Sequence, residues 1–167
     1  MATGPKYGKY ICTELKQGVV MPGFKGDQHI GQGYVDGYRR NLEHVIWMDS
    51  EVIPGAFYAE CCWQWPESYP DQRPRPKMIT PEQAKDMPGI TPHAHPFDEL
   101  FCYFGTNMED PSDLGGEIEF WLEDEKFMLT KSFQVYIPAG MMHNPLRIHR
   151  MDRPMFHLTL GPTSKYV

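Results

Sequence analysis

Hydrophobic and polar residues alternate over short stretches of this sequence, and each stretch is bounded by residues that favour turns. Residues 117–123 are the clearest example, because charged and apolar side chains alternate there with the period of two of a half-buried antiparallel strand. About eight short strands of this kind predict an all-β sandwich or barrel, without a long amphipathic helix. The other predicted strands are residues 44–48, 57–65, 93–104, 126–130, 133–137, 143–149 and 155–160.

Two segments lack this alternation. Residues 1–43 are rich in glycine and tyrosine, and we interpret them as an extended N-terminal arm that precedes a barrel domain of residues 44–167. Within the arm, residues 7–13 are compatible with a short strand. Residues 66–92 are rich in proline, which disfavours a helix or a central strand, although residues 80–85 have the N-cap threonine and first-position proline of one helical turn. Such an arm commonly packs across a partner subunit, so we expect a homodimer.

The composition changes this picture little. A length of 167 residues predicts one folded domain, and the 16 prolines, 15 glycines and 13% aromatic residues favour strands linked by turns. The net charge of −6, without a basic cluster, argues against a nucleic-acid surface. No apolar run approaches the roughly 20 residues of a membrane span, and residues 1–8 do not resemble a signal peptide. We therefore expect a cytoplasmic protein without nucleic-acid or membrane partners.

The cysteines show no C-x-x-C spacing, which argues against a structural zinc site made from them alone. We interpret them as reduced, partly buried thiols. For Cys102, a redox-active role is the alternative to simple packing. The four are Cys12, Cys61, Cys62 and Cys102.

The strongest candidate for chemistry is a set of three histidines and one glutamate. His93 and His95 stand two residues apart, so on a strand their side chains would project from the same face, and Glu99 shares their parity. His143 follows well downstream, behind a Pro-x-Gly turn. We predict that these four side chains bind one divalent transition metal, since imidazole and carboxylate together suit Fe, Mn, Zn, Ni or Cu. Asp98 is an alternative to Glu99 with less favourable parity.

In these residues the chain resembles a small single-domain cupin. The family's first motif is His-x-His followed by a glutamate and a later glycine, as in residues 93–105, and its second is Pro-x-Gly-x-x-His, as in residues 138–143. The resemblance covers about residues 44–160 and implies a double-stranded β-helix, or jelly-roll barrel, with the metal at its mouth. The chain departs from the family at residues 131–132, where a glycine would stand, and at Arg147, where an asparagine would stand.

Arg147 and His157 are the candidate catalytic residues beside the metal. Arg147 shares parity with His143 and, if it points into the barrel, its guanidinium could hold a substrate carboxylate or enolate. The alternative is a surface arginine on a twisted strand. His157 either lines the pocket, where it could act as an acid or base, or faces solvent. His149 has the same parity as His143, but we expect it at the rim or the surface.

Other positions are interpreted as structural. The predicted strand of residues 57–65 has one polar and one apolar face, and either may line the barrel. We interpret the apolar face as core rather than as the wall of a substrate pocket. His29 and His44 have no evident partners in the sequence, so we assign them structural roles.

Two main functions are compatible with these residues. The first is a metal-dependent enzyme that acts on a small oxygenated or carboxylated organic molecule, by dioxygenase, isomerase, decarboxylase or lyase chemistry. The second is a non-enzymatic module that binds a metal or a small ligand. A structural barrel whose motifs no longer hold metal is a third alternative.

Overall fold

The computed structural model describes residues 6–16, 42–66 and 92–166. Within these ranges the chain forms eight strands and one short 3-10 helix, Gly8–Tyr10. The strands are β1 (Leu42–Met48), β2 (Tyr58–Gln64), β3 (Glu99–Gly105), β4 (Asp113–Leu122), β5 (Glu125–Lys131), β6 (Phe133–Ile137), β7 (His143–Met151) and β8 (Met155–Gly161). A strand is present in each of the eight predicted regions, although the ends differ, most of all at β3, which begins at Glu99 rather than at residue 93.

The strands form two antiparallel sheets. One has the order β1-β2-β8-β3-β6 and the other the order β5-β4-β7. A bridge between His93 and His143 adds the segment before β3 to the β7 edge of the second sheet. The chain thus passes repeatedly from one sheet to the other, which is the arrangement of a double-sheet jelly roll. The predicted all-β double-stranded β-helix is confirmed by this strand order.

The core lies between the two sheets and receives side chains from both. Phe101 of β3 stacks on Phe120 of β4, with ring centroids 5.2 Å apart and planes 13° apart. Each fully buried side chain of this kind contributes roughly 1.5–3 kcal/mol through burial, and a stacked aromatic pair adds about 0.5–1.5 kcal/mol. The buried cluster consists of Phe101, Tyr103, Leu114, Ile118, Phe120, Ile137, Leu146 and Met155.

The polar face of β2, rather than its apolar face, is buried. Exposure alternates strictly along the strand, and the buried positions are Tyr58, Glu60, Cys62 and Gln64. Of the two faces that could line the barrel, the structure therefore selects the polar one, and the apolar face expected to form core is only half-buried. On the outer face, Trp63 is covered by Trp65, with ring centroids 5.6 Å apart, and by Phe156 at 5.3 Å. Aromatic contacts on the outside of the sheet thus account for the apolar residues, and the interior beside β2 is polar.

The described part of the arm packs against the same chain. Residues 7–13 do not form a strand, because the short 3-10 helix occupies their middle. Leu15 lies in a buried cluster with Trp47 and Tyr58, and Nζ of Lys16 lies 2.6 Å from the buried Asp49 carboxylate.

Two of the segments interpreted from the sequence lie outside the described residues. They are residues 17–41 of the arm and the helical turn predicted at residues 80–85. The boundary between arm and barrel and the homodimer stay predictions. None of the helices in the described ranges is long and apolar enough to cross a membrane.

Candidate metal centre

Three histidine side chains converge in the structure. His93, His95 and His143 each offer one nitrogen, and these nitrogens all lie within 4.8 Å of one another. The backbones of His93 and His143 exchange two hydrogen bonds, of 3.1 Å and 2.9 Å, so their rings lie side by side with centroids 4.3 Å apart. His95 and His143 are buried, and His93 is half-buried. The three imidazoles predicted to share a metal are therefore brought together.

The route by which they meet differs from the predicted one. The predicted strand of residues 93–104 is interrupted, because β3 begins only at Glu99 and His93 makes an isolated bridge. Pro96 lacks a backbone donor, which disfavours a continuous ladder here. Instead, the carbonyl of His95 accepts a hydrogen bond from the backbone N–H of Gly140, at 2.8 Å. Gly140 has a φ of +83°, in the region that favours glycine.

Glu99 places a buried carboxylate beside two of the histidines. Its side chain is 4% exposed, and its Oε2 lies 3.2 Å from Nε2 of His143 and 4.0 Å from Nε2 of His95. This oxygen accepts no hydrogen bond from the described residues. A buried carboxylate in such surroundings is costly without a cation, so its environment fits a metal ligand. The alternative Asp98 is turned elsewhere, since its Oδ1 accepts from the backbone N–H of Ala139 at 2.9 Å.

The second nitrogen of His143 is held by the backbone. Nδ1 of His143 lies 3.1 Å from the carbonyl oxygen of Met141, and a carbonyl can only accept. Nδ1 therefore carries the hydrogen in the neutral ring, and Nε2 is left with its lone pair on the side of Glu99. Backbone contacts of this kind orient metal-binding histidines in many proteins.

Tyr166 is a component of the site that the sequence analysis missed. Its hydroxyl lies 3.1 Å from Nε2 of His95, and its ring centroid lies 5.0 Å from that of Tyr58. The ring of Phe97 stacks on the imidazole of His95, with centroids 4.9 Å apart and planes 12° apart. The C-terminal segment thus returns to the histidines, and no local motif around Tyr166 indicates this contact.

Arg147 is not brought to the histidines. Its side chain is 57% exposed and donates to Oε1 of Glu119 at 3.1 Å. The parity argument failed because β7 has an extra residue: Phe120 is opposite Leu146, whereas Leu122 is opposite His143. Between these two pairs, one residue of β4 thus faces two of β7, which inverts the faces beyond the shift. Of the two alternatives for Arg147, the structure shows the surface arginine, and we therefore leave this residue out of the proposed site.

Glu119 forms a separate polar cluster on the outer side of this sheet. Besides Arg147, Nε2 of His149 lies 2.9 Å from Oε2 of Glu119, and Nε1 of Trp121 donates to Oε1 at 2.8 Å. The hydrogen bonds from Trp121 and His149, with the nearby Arg147 charge, lower the pKa of Glu119 to about 2. The His149 side chain is 44% exposed, so this residue lies at the surface, as expected.

His157 lies in the interior of the barrel, so the solvent-facing alternative is excluded. Its side chain is 3% exposed and its ring stacks on Tyr103 at 4.5 Å. Nδ1 lies 2.8 Å from the carbonyl of Cys102, and Nε2 lies 2.9 Å from the Thr159 hydroxyl. Because the carbonyl can only accept, the neutral ring carries its hydrogen on Nδ1. A catalytic role for His157 stays a prediction.

The Cys102 thiol has the properties of a packed group. None of the four cysteines forms a disulfide, and burial raises the pKa of Cys102 to about 11. A thiol with so high a pKa is mainly protonated at neutral pH and is a weak nucleophile. The packed interpretation of Cys102 is thereby favoured.

The fold and the histidine cluster define a jelly-roll protein with a candidate transition-metal centre. No protein-family model matches the sequence, and no curated protein matches it. Among solved structures, the chain is similar to KdgF from Halomonas sp., with 18% identity, 72% of this chain and 80% of that chain covered, and a TM-score of 0.38. It is also similar to a RmlC-like cupin from Shewanella frigidimarina, with 12% identity, coverage of 90% and 97%, and a TM-score of 0.42.

A third similar structure is an oxalate oxidase in complex with the substrate analogue glycolate. The identity is 12%, 86% of this chain is covered, and the TM-score is 0.45. The chain spans 61% of that oxidase. At these identities the likeness to cupins concerns the fold alone, which the strand order establishes independently. It indicates neither the metal nor the reaction.

Proposed function

We propose that the protein is a metal-dependent enzyme that acts on a small oxygenated or carboxylated organic molecule. The observation that carries this proposal is the convergence of three histidine nitrogens within 4.8 Å of one another. The buried carboxylate of Glu99 lies beside two of these imidazoles. This donor set is suited to a catalytic rather than a purely structural ion, since structural zinc sites are usually closed by four ligands that include cysteine.

The chemistry of the donors fits a divalent ion such as Fe, Mn, Zn, Ni or Cu. A dication would compensate the negative charge of Glu99, whose side chain is 4% exposed. Four protein ligands leave positions open on a six-coordinate ion. When bound, the metal would supply Lewis-acid polarisation of substrate oxygens, or oxygen activation if it is Fe(II).

The side chains around the histidines would orient the substrate and supply a proton. The Tyr166 hydroxyl lies 3.1 Å from Nε2 of His95, where its O–H can donate to a substrate oxygen next to that histidine. Phe97 is buried and stacked on His95, so it keeps water from that face of the imidazole. Polar donors and an apolar wall together would hold a small polar molecule in one orientation.

Tyr58 supports an oxygenated substrate class. It is fully buried beside Tyr166, and its hydroxyl has no hydrogen-bond partner among the described residues. Buried hydroxyls are normally hydrogen-bonded, and a hydroxyl or carboxylate of a substrate would satisfy this one. Dioxygenation, isomerisation, decarboxylation and lyase chemistry all begin from such oxygen-bearing molecules and stay open.

Metal analysis of matched variants tests the site. Mass spectrometry of the purified protein should find that His95→Ala loses about one equivalent of transition metal per chain relative to the unmodified protein. His149→Ala is the control, since it removes a histidine from the outer surface and should retain the full metal content. Unchanged metal content in His95→Ala overturns the site assignment.

Turnover decides between an enzyme and a binding module. The metal-loaded protein would be incubated with hydroxy acids, oxo acids and polyols, with proton NMR detecting both products and, in the Mn(II) form, broadening of bound molecules. Product formation that disappears in His95→Ala supports the enzyme. Broadening without any product in the metal forms tested supports the non-enzymatic ligand-binding module instead.

A further inference from the structure

A second cluster of potential metal ligands lies between β1 and β2. His44, Glu60 and Cys62 each offer one ligand atom, and these atoms lie within 4.8 Å of one another. Their exposed fractions are 5%, 7% and 0%, and Nε2 of His44 lies 3.4 Å from Oε2 of Glu60. The cluster shares no residue with the three histidines described above. The structure thus gives His44, which has no evident partner in the sequence, two partners on the neighbouring strand.

A β-bulge aims His44 into the interior. His44 is opposite Cys62, and the register shifts by one residue before the next pair of β1 and β2. Because of this shift, His44 and Trp47 are both buried although they stand three residues apart on one strand. Bulges re-aim side chains next to functional sites in many sheets. The shift puts an imidazole opposite the thiol.

Further buried polar atoms surround the cluster. Nδ1 of His44 and Oε1 of Gln64 are buried and have no hydrogen-bond partner within the described part of the chain. Gln64 follows Cys62 by two residues on the same buried face of β2. Since buried polar atoms are normally satisfied by protein, water or an ion, the amide oxygen of Gln64 is suitably situated as an additional donor.

We infer that His44, Glu60 and Cys62 bind a second metal ion, which is zinc or another divalent ion that prefers thiolate ligands. Imidazole, carboxylate and thiolate are all zinc ligands. The thiolate distinguishes this set from the one at His93, which offers only nitrogen and oxygen donors. The thiol of Cys62 loses its proton to solvent on binding, and the carboxylate and thiolate together balance the dication. The ion makes the burial of these charged groups inside the barrel favourable.

Cobalt(II) titration of metal-free protein tests this site separately from the first. A cobalt ion bound by a cysteine has a thiolate-to-metal charge-transfer absorption in the near ultraviolet, which a site of histidines and a carboxylate lacks. The unmodified protein should bind about two equivalents and develop this absorption. His93→Ala should lose one equivalent and keep the absorption. If the unmodified protein binds cobalt without developing the thiolate absorption, the inference is overturned, whatever the variants do.

Neighbouring cysteines provide the matched control. Cys62→Ser should lose the thiolate absorption and one equivalent of cobalt, whereas Cys61→Ser, on the half-buried outer face, should keep both. If Cys62→Ser does not fold, His44→Gln removes a different donor and should also lose the equivalent. Retention of the absorption in Cys62→Ser, or its loss in Cys61→Ser, would assign the thiolate to another cysteine and overturn the inference.

Discussion

The hydroxyl oxygen of Tyr166 lies 3.1 Å from Nε2 of His95, across 71 positions of sequence. The Tyr166 ring also lies within 6.5 Å, centroid to centroid, of Trp47 and within 5.0 Å of Tyr58. The end of the chain is therefore tied by aromatic packing to the same region as the candidate metal centre. This contact joins the stability of the C-terminal segment to the chemistry of the histidines.

Substitutions of Tyr166 should separate these two roles. Tyr166→Ala loses the ring contacts and should lower the free energy of unfolding by about 1–3 kcal/mol, less than a fully buried aromatic residue would. Tyr166→Phe keeps the ring and should cost no more than about 0.5–1.5 kcal/mol, the worth of one hydrogen bond. Urea unfolding of both variants measures the difference. Equal losses in the two variants would contradict a packing role for the ring.

Glu99→Gln should have opposite effects on the metal-free and the metal-loaded protein. The neutral amide removes a carboxylate that is 4% exposed, so the metal-free variant should be at least as stable as the unmodified protein. Metal affinity should fall on the order of 10–100-fold, because the carboxylate next to His143 is lost. Thermal unfolding with and without metal checks both effects. An unaltered metal affinity would argue against Glu99 as a ligand.

Glu119→Gln should change the stability of the protein in acid. The hydrogen bonds from Trp121 and His149 lower the pKa of Glu119 from 4.5 to about 2, so the folded state prefers the carboxylate. The resulting stabilisation is present above pH 4.5 and is lost as the pH falls towards about 2. The stability difference between the unmodified protein and Glu119→Gln should therefore shrink over this range. Urea unfolding at several pH values measures it, and a pH-independent difference would contradict the assignment.

Gly161→Ala should disturb the histidines through Phe97. A Cβ at position 161 would lie 2.6 Å from Cε2 of Phe97, and Phe97 stacks on His95. Overpacking of this kind costs about 1–3 kcal/mol, and the displaced ring should weaken metal binding. Adding Phe97→Leu should recover part of the loss, because the shorter side chain relieves the contact. Urea unfolding measures the loss of unfolding free energy in the two single variants and the double variant. If the losses are strictly additive, the two sites do not interact.

The strands and the ligand types could be predicted because both are local properties. Residues 117–122 of the predicted alternation fall within β4, and the two short motifs contain all three histidines that converge. Predictions of facing direction were less successful wherever the ladder is irregular. The parity of Arg147 with His143 left its orientation open between inward and surface, and the register shift in β7 places it at the surface.

The polar interior of β2 was missed for a related reason. Hydrophobicity alone favours its apolar face as core, but Trp63 is covered on the outside by Trp65 and Phe156. Whether a face is buried depends on the elements that cover it, and those elements are distant in sequence. The same holds for His44, whose partners Glu60 and Cys62 stand on the neighbouring strand.

By itself, the sequence determined the all-β class, the approximate strands and the three histidines with Glu99 as a candidate metal set. These follow from periodicity and from residue types at short spacings, which need no knowledge of distant contacts. Only the tertiary structure decided that Arg147 faces solvent, that His44 joins a second buried cluster and that Tyr166 contacts His95. Register shifts and long-range packing set these positions, because a single extra residue in a strand reverses every face beyond it.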